Sequence, residues 1–294
     1  MWTDKYGNKW YKGNLHMHTT RSDGRRSYED AVETYRQAGY DFIAVTDHWV
    51  YNEGEQQDDF LILSGCEYNL GRTVRDKIFH IVGFGMEHPI GLKLADDPSP
   101  QEVIDAIRNS GGLAELAHPS WSMTRVADVL PLSGLCGTEI YNTVSGAPWN
   151  CRPDSSEFVD LCAAAGKFLP CLAADDAHFY EGDETRSFIY VKAKELSREA
   201  ILAAIAAGDF FASQGPTVSA MIEDGICKVE CSPVEKIIFW NDSVWCDDRM
   251  TVGEGLTYGE GMILPHMTFE RVEVVDSEGR RAWLSPMAVN RDKE

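Results

Sequence analysis

Two histidines near the start of the chain, His16 and His18, are the first residues that could do chemistry. Side chains of a β-strand alternate between faces, so residues two positions apart project on the same side, about 7 Å apart. Two imidazoles in that arrangement can bind one divalent metal ion. A solvent-exposed strand can carry the same pair, so the motif predicts a metal site only if further ligands accompany it.

Further potential ligands lie at or just after short apolar runs, where a strand would be ending. Six of the eight histidines lie in such places, and the exceptions are His88 and His266. Carboxylates occupy similar positions, as on the functional face of a β/α barrel. The candidates beyond the first pair are His48, Glu67, His80, His118, Asp176 and His178.

Alternating strand and helix signals extend to about residue 215. Ser27 and Ser99 are typical N-caps, and each is followed by a carboxylate three residues later and by apolar residues at helical spacing. Residues 42–45 are apolar on both faces, as expected of a buried parallel strand. Repeated units of this kind predict an α/β domain with parallel strands over residues 1–215. Residues 216–294 instead carry alternating runs separated by turn dipeptides, which predict a small antiparallel β-module.

Composition restricts the possible partners. A formal net charge of -20 argues against a nucleic-acid surface, whereas bound divalent ions would set a local potential that still admits small phosphorylated substrates. No apolar run approaches the ~18 residues of a membrane span, and residues 1–13 lack a signal-peptide core. We therefore expect a cytoplasmic protein that binds no nucleic-acid polymer and no membrane; the oligomeric state is not predicted. The eight cysteines lack Cys-x-x-Cys spacing and are expected to be buried hydrophobes.

Five separated motifs carry a resemblance to a known family. Residues 14–24, 46–48, 65–67, 118–119 and 175–178, in that order, resemble the motif set of the PHP (polymerase and histidinol phosphatase) family of amidohydrolase-like metal hydrolases. The tail resembles the β-module of the CehA/McbA-like branch. The resemblance implies a distorted seven-stranded β/α barrel, which is TIM-like, with two or three divalent metal ions at the C-terminal ends of the strands.

The resemblance also implies how the ligands divide among the ions. The first ion would be held by His16, His18, Glu67 and Asp176. The second would share Glu67 and add His80 and His118, and the third would be held by Asp23, His48 and His178. Many family members have histidine at the place of Asp23. Mixed histidine and carboxylate ligands suit Mn, Fe or Zn, without choosing among them.

The expected chemistry is hydrolysis of a small phosphate ester. Ions that share a carboxylate can hold one hydroxide between them and bind the oxygens of the phosphate it attacks. Glu67, Asp176 and His178 are the predicted catalytic residues, and the third ion is expected to serve the leaving group. Nearby polar residues could bind the phosphorylated metabolite; they are Arg21, Lys77, Arg186 and, more weakly indicated, Asn142.

Two alternatives to this function remain open. The first is a carboxyl-ester, carbamate or amide hydrolase, because the same hydroxide would attack a carbonyl carbon. A basic phosphate clamp favours phosphoesterase activity, whereas an apolar pocket built from Trp49, Trp121 and Trp149 favours the alternative. The second is a metal-binding module without activity, for which degraded ligands would be expected.

Overall fold

The computed structural model describes residues 1–57 and 59–290. These residues form a mixed α/β structure that is rich in β-sheet. The helices are α1 Tyr28–Gln37, α2 Pro100–Asn109, α3 Pro119–Ser122, α4 Val126–Val129, α5 Ser156–Ala164 and α6 Arg198–Ala207. The strands are β1 Trp2–Thr3, β2 Lys9–Asn14, β3 Phe42–Ala44, β4 Glu55–Gln56, β5 Leu61–Leu63, β6 Gly65–Leu70, β7 Phe79–Phe84, β8 Leu113–Leu116, β9 Leu135–Asn142, β10 Cys171–Ala174, β11 Phe188–Lys192, β12 Phe210–Ser213, β13 Val218–Glu223, β14 Ile226–Asn241, β15 Met250–Met262, β16 Phe269–Val275, β17 Arg281–Trp283 and β18 Met287–Ala288.

The predicted helix starts are confirmed at both serine caps. The hydroxyl of Ser27 accepts a hydrogen bond from the backbone N–H of Asp30 at 3.2 Å, and α1 follows. Ser99 and Glu102 form a reciprocal capping box, with Pro100 at the start of α2. Both caps satisfy N–H groups that have no partner inside the helix. None of the helices in the described ranges combines the length and apolar character that a membrane crossing requires.

The chain folds as two compact units. Unit 1 comprises Met1–Ser155 and Leu172–Phe210, and unit 2 comprises Ser156–Cys171 and the residues from Phe211 onward. Helix α5 is therefore part of unit 2, although the sequence analysis assigned residues 156–171 to the first domain. A domain boundary after residue 215 stays a prediction.

Unit 1 contains two sheets around its apolar core. One has the strand order β11-β2-β3-β5-β4, and the other has the order β10-β9-β8-β7-β6. The expected parallel pairing holds for β2 with β3, β3 with β5 and β8 with β9. It is wrong for β6 with β7 and for β7 with β8, which are antiparallel. Only residues 71–78 separate β6 from β7, and a parallel crossover needs a dozen or more residues.

Unit 2 contains an antiparallel sheet with the order β13-β14-β16-β17-β12 and with β15 also paired to β14. The strands from β13 to β18 all lie in residues 216–290. A buried ion pair joins α5 to this sheet. The fully buried guanidinium of Arg271 donates from Nε and Nη2 to the two carboxylate oxygens of Asp160, at 2.6 and 2.8 Å.

Replacing Asp160 with asparagine should lower the free energy of unfolding by about 3 kcal/mol, because a buried guanidinium would lose its countercharge. Urea denaturation checks this value. Glu223→Gln is the matched control, since Glu223 pairs with Lys228 at 2.6 Å on the exposed surface, and we expect no measurable change from it. Equal effects of the two substitutions would contradict the importance of the buried pair.

Candidate metal centre

The nine predicted metal ligands lie together in unit 1, in three adjoining groups. Within each group the potential ligand atoms lie within 4.8 Å of one another. Glu67 belongs to two groups, and His18 also belongs to two. The groups are His16, His18, Glu67 and Asp176; Glu67, His80 and His118; and His18, Asp23, His48 and His178.

The first group is the most deeply buried. Nε2 of His16 lies 3.2 Å from Nε2 of His18, and 3.2 Å from Oε2 of Glu67. Oδ1 of Asp176 lies 3.0 Å from Nε2 of His18. That Oδ1 atom is buried and has no hydrogen-bond partner among the described residues. Four donor atoms therefore converge on one point, as the ligands of one cation do.

The second group shares the carboxylate of Glu67. Its Oε1 atom lies 2.6 Å from Nδ1 of His80 and 3.5 Å from Nε2 of His118. Glu67 on β6 and His80 on β7 are diagonal neighbours, because His80 is directly opposite Asn69. Diagonal residues project on the same face of an antiparallel pair, which explains how these two side chains meet.

The third group lies nearer to solvent. The two carboxylate oxygens of Asp23 lie 3.5 Å from Nε2 of His178 and 3.6 Å from Nε2 of His48. Nδ1 of His178 donates to the backbone carbonyl of Asp176 at 2.7 Å, which leaves Nε2 to face Asp23. The side chain of Asp23 is 55% exposed. This group is accessible to a substrate.

Local backbone geometry aims several of these side chains. His118 and Asp176 follow the ends of β8 and β10, and their φ angles are +27° and +53°. Non-glycine residues rarely adopt such angles, which cluster at functional sites. The loop that carries Asp23 is held close to His18, because a Cβ atom on Gly24 would collide with the backbone carbonyl of His18. Asp47 fixes the same loop by accepting from Thr19 N at 2.8 Å.

The protonation equilibria reflect crowded opposite charges. Burial disfavours charged His18, but the nearby carboxylates of Asp176 and Glu67 outweigh burial and raise the pKa of His18 to about 9. For His16, burial is likewise outweighed, and Asp176, Glu67 and Glu139 raise its pKa well above the ordinary value. Burial acts to raise the pKa of Glu67, but neighbouring histidines hold it well below the usual range. When no other cation is bound, protons on the histidines must balance the negative charge of the buried carboxylates.

The donor set fits divalent metal ions. Imidazole nitrogens and carboxylate oxygens converge in each group, and buried Oδ1 of Asp176 and Nδ1 of His48 have no hydrogen-bond partner among the described residues. Such a mixed set suits Mn, Fe or Zn and is less suited to Ca, which prefers oxygen ligands alone. The number and identity of the ions belong to the proposal below.

Metal affinity should rise with pH. Histidine binds metal only when deprotonated, and the pKa of His18 without metal is about 9, so protons compete with the ion below that pH. Between pH 6 and pH 8 we expect the apparent Kd for Mn to fall about tenfold per pH unit for each proton released. Calorimetric titration at several pH values checks this, and a pH-independent Kd would contradict it.

A cavity of about 220 Å³ opens above the ligands. Trp121, Val144 and Phe179 contribute apolar walls, and Ser145 and Asn150 contribute uncharged polar groups. Trp121 packs edge-on against His80 and His118, with ring centroids 5.7 and 5.0 Å apart. A space of this size suits a small substrate group placed directly over the ligands.

The three basic residues predicted to clamp phosphate do not line this cavity. Arg21 donates to Asn52 at 2.7 Å and lies over the ring of Tyr28. Nζ of Lys77 is 3.5 Å from Asp128. Arg186 lines a neighbouring pocket and donates to the carbonyl of Gly182 at 3.2 Å. A role for these residues in substrate binding stays a prediction.

The fourth predicted substrate residue, Asn142, lies behind the ligands. Its amide nitrogen donates to Asp176 Oδ2 at 3.2 Å and to Glu139 Oε2 at 2.8 Å. Sequence reasoning missed Glu139 and its neighbour Glu115, which are both fully buried. For Glu115 the available signal was a carboxylate inside the otherwise apolar strand β8, since unpaired glutamates are almost never fully buried.

Comparisons with known proteins give the fold. No protein-family model matches the chain. A two-domain protein from Bacteroides vulgatus, which contains a predicted PHP-like metal-dependent phosphoesterase, superimposes with a TM-score of 0.54 at 15% identity and covers 95% of both chains. The chain has a PHP-like fold. The resemblance to the PHP family is thus confirmed for the fold, whereas membership of the CehA/McbA-like branch stays a prediction.

Two further proteins match a smaller part of the chain. An uncharacterized protein of Methanocaldococcus jannaschii, MJ1587, is 27% identical over 143 residues, which are 45% of this chain and 81% of that protein. An amidohydrolase from Chromobacterium violaceum with bound sulfate and no metal has a TM-score of 0.42 at 15% identity. The match covers 58% of this chain and 89% of the amidohydrolase chain.

Proposed function

We propose that this chain is a metal-dependent hydrolase of small phosphate esters, acting on a phosphomonoester, a cyclic phosphodiester or both. One observation carries the proposal: nine potential metal ligands converge in three adjoining groups beneath a cavity. The description of the Bacteroides vulgatus protein as containing a predicted PHP-like metal-dependent phosphoesterase supports the reaction class.

Two or three divalent ions, Mn, Fe or Zn, would occupy these groups. His16, His18, Glu67 and Asp176 would hold the first ion, with Glu67, His80 and His118 holding the second. Asp23, His48 and His178 would hold the third, with His18 between it and the first. When bound, such ions lower the pKa of a water to make it nucleophilic at neutral pH and neutralise charge on phosphate oxygens.

The chain's own residues would position the ester. Glu67 and Asp176 keep their buried carboxylates ionised because neighbouring histidines lower the pKa of both groups despite burial. Nε2 of His178 remains available because its Nδ1 is engaged by a backbone carbonyl. Ser145 and Asn150 offer hydrogen bonds to ester oxygens, and the ring of Trp121 excludes water from one side of the cavity.

A barrel within unit 1 belongs to the same proposal. We propose that β2, β3, β5, β7, β8, β9 and β10 form the distorted seven-stranded ring, with β6 continuing β5. Three observations support it. Strand β5 leads into β6 through a single residue. One parallel bridge joins His48 to Glu67, and another joins Met17 to Ala177, just beyond the ends of β2 and β10. Ligands at the strand ends would then face one opening.

A carboxyl-ester, carbamate or amide hydrolase is the second candidate. Trp121, Val144 and Phe179 line the cavity, whereas none of the described lining residues is a lysine or an arginine. Trp149 stacks on Phe179 with ring centroids 5.9 Å apart, whereas Trp49 donates to the carbonyl of Asn69. These apolar walls favour an uncharged substrate, while bound cations would favour a phosphate.

A substrate comparison tests the two candidates. Protein loaded with Mn is incubated with phosphomonoesters, cyclic phosphodiesters, carboxyl esters and aryl carbamates. Asp176→Asn protein that is purified in the same way controls for contaminating enzymes. We expect phosphate release by the wild type that the variant lacks. Carbamate or carboxyl-ester turnover without phosphate release would instead favour the second candidate.

A further inference from the structure

Glu139 is a buried carboxylate that contacts the first group from behind. It lies on β9, and its side chain is completely buried. Oε1 accepts from Nδ1 of His16 at 2.7 Å, and Oε2 accepts from the backbone N–H of His118 at 2.7 Å. Oε2 also accepts from the amide of Asn142 at 2.8 Å. Three protein donors therefore bind this carboxylate, which has no contact with solvent.

Each of these bonds fixes a different potential ligand. With its proton on Nδ1 directed at Glu139, His16 presents Nε2 to Glu67 and Asp176. The bond to the backbone N–H of His118 stabilises that residue at a φ angle of +27°, which is unfavourable for any residue other than glycine. Asn142 links Glu139 to Oδ2 of Asp176 through its second hydrogen bond, at 3.2 Å.

Glu115 supplies an internal comparison. It is also completely buried, on the adjacent strand β8, and its oxygens have no hydrogen-bond partner among the described residues. Burial and the charge of Glu139 raise the pKa of Glu115 well above its ordinary value. Although Glu115, Glu139 and His16 also place donor atoms within 4.8 Å, Nδ1 of His16 is already engaged by Glu139.

We propose that Glu139 is a positioning residue of the metal centre, which orients His16, His118 and Asp176 without binding an ion itself. The inference rests on the proposed metal centre but not on the identity of the substrate. Carboxylates that accept from the far nitrogen of a metal-binding histidine set its tautomer and its basicity, and their loss costs about 10- to 100-fold in metal affinity.

The test compares Glu139→Gln with Glu115→Gln in full-length protein stripped of metal. Calorimetric titration with Mn gives the Kd, and thermal unfolding of each metal-free protein reports stability. An amide at position 139 cannot accept from three donors, so we expect the Kd to rise about 10- to 100-fold. Glu115→Gln keeps the shape of a side chain whose oxygens have no hydrogen-bond partner among the described residues, so it should leave the Kd within about twofold.

Activity at rising Mn concentration gives a second readout. Glu139→Gln should recover most of the wild-type kcat at saturating Mn, because the ligands themselves remain. If Glu139→Gln fails to fold, Glu139→Asp takes its place, and we expect its shorter carboxylate to weaken binding about tenfold. Wild-type Mn affinity in a folded position-139 variant would overturn the inference. No Mn binding by the wild type would instead contradict the proposed function, and with it the centre that Glu139 would position.

Discussion

Replacing Asp176 with asparagine should lower kcat/KM on the order of 10³-fold and remove bound metal. Oδ1 of Asp176 lies within 3.2 Å of Nε2 of His16 and within 3.0 Å of Nε2 of His18. An amide offers no negative charge to an ion held there, and a Lewis acid contributes several kcal/mol to transition-state stabilisation, which corresponds to about that factor. Steady-state kinetics and elemental analysis of the same samples measure both effects.

Asp175→Asn is the matched control for this prediction. Asp175 is the adjacent buried carboxylate, but it accepts from the N–H groups of Thr185, Arg186 and Ser187 and from the hydroxyl of Tyr35. Its substitution should lower the Tm, because an amide cannot accept all of these bonds, while metal content per folded chain stays the same. Loss of metal from both variants to the same extent would show that destabilisation, and not a ligand role, explains the Asp176 result.

Asp23 should tolerate histidine but not alanine. Its carboxylate faces Nε2 of His48 and Nε2 of His178 at the exposed side of the centre. Asp23→His keeps a ligand atom and should retain activity within about tenfold, whereas Asp23→Ala should lower kcat about 100-fold through loss of the third ion. Kinetics with metal analysis distinguish the two variants.

The exposure of Asp23 makes this comparison specific. Its side chain is 55% exposed, so neither substitution should alter the Tm of the metal-free protein by more than a degree or two. Equal activity of the histidine and alanine variants would contradict a ligand role for Asp23. The outcome would leave the two deeper groups unaffected, because neither includes this carboxylate.

Local sequence signals account for the starts of α1 and α2 and for the burial of the apolar strands. The caps at Ser27 and Ser99 depend on residues within one turn, and apolar runs such as Phe42–Ala44 determine burial through their own composition. The histidine pair was expected on the first strand, but β2 ends at Asn14; His16 and His18 lie just beyond it, on either side of the completely buried Met17, which bridges to Ala177. The division of the potential ligands into three groups came from the resemblance to known motifs, and the periodicity of apolar residues alone could not have given it.

Other features depend on tertiary contacts that no short segment encodes. Arg21 follows the His-x-His pair directly, yet its long side chain contacts Asn52 and Tyr28 instead of the cavity. The antiparallel pairing of β7 with β8 was equally inaccessible, because the connection over residues 85–112 is long enough for either direction. Glu139 was missed because only the folded structure places it beside Nδ1 of His16.

Metal content is the measurement that tests the central claim most directly. Protein purified without chelators is analysed for metal before and after dialysis against a chelator, and phosphate-ester hydrolysis is assayed on the same samples. We predict two or three divalent ions per chain and a loss of activity on chelation that added Mn reverses. Hydrolysis that persists in metal-free protein, or a chain that retains no ion when Mn is supplied, would contradict a metal-dependent hydrolase.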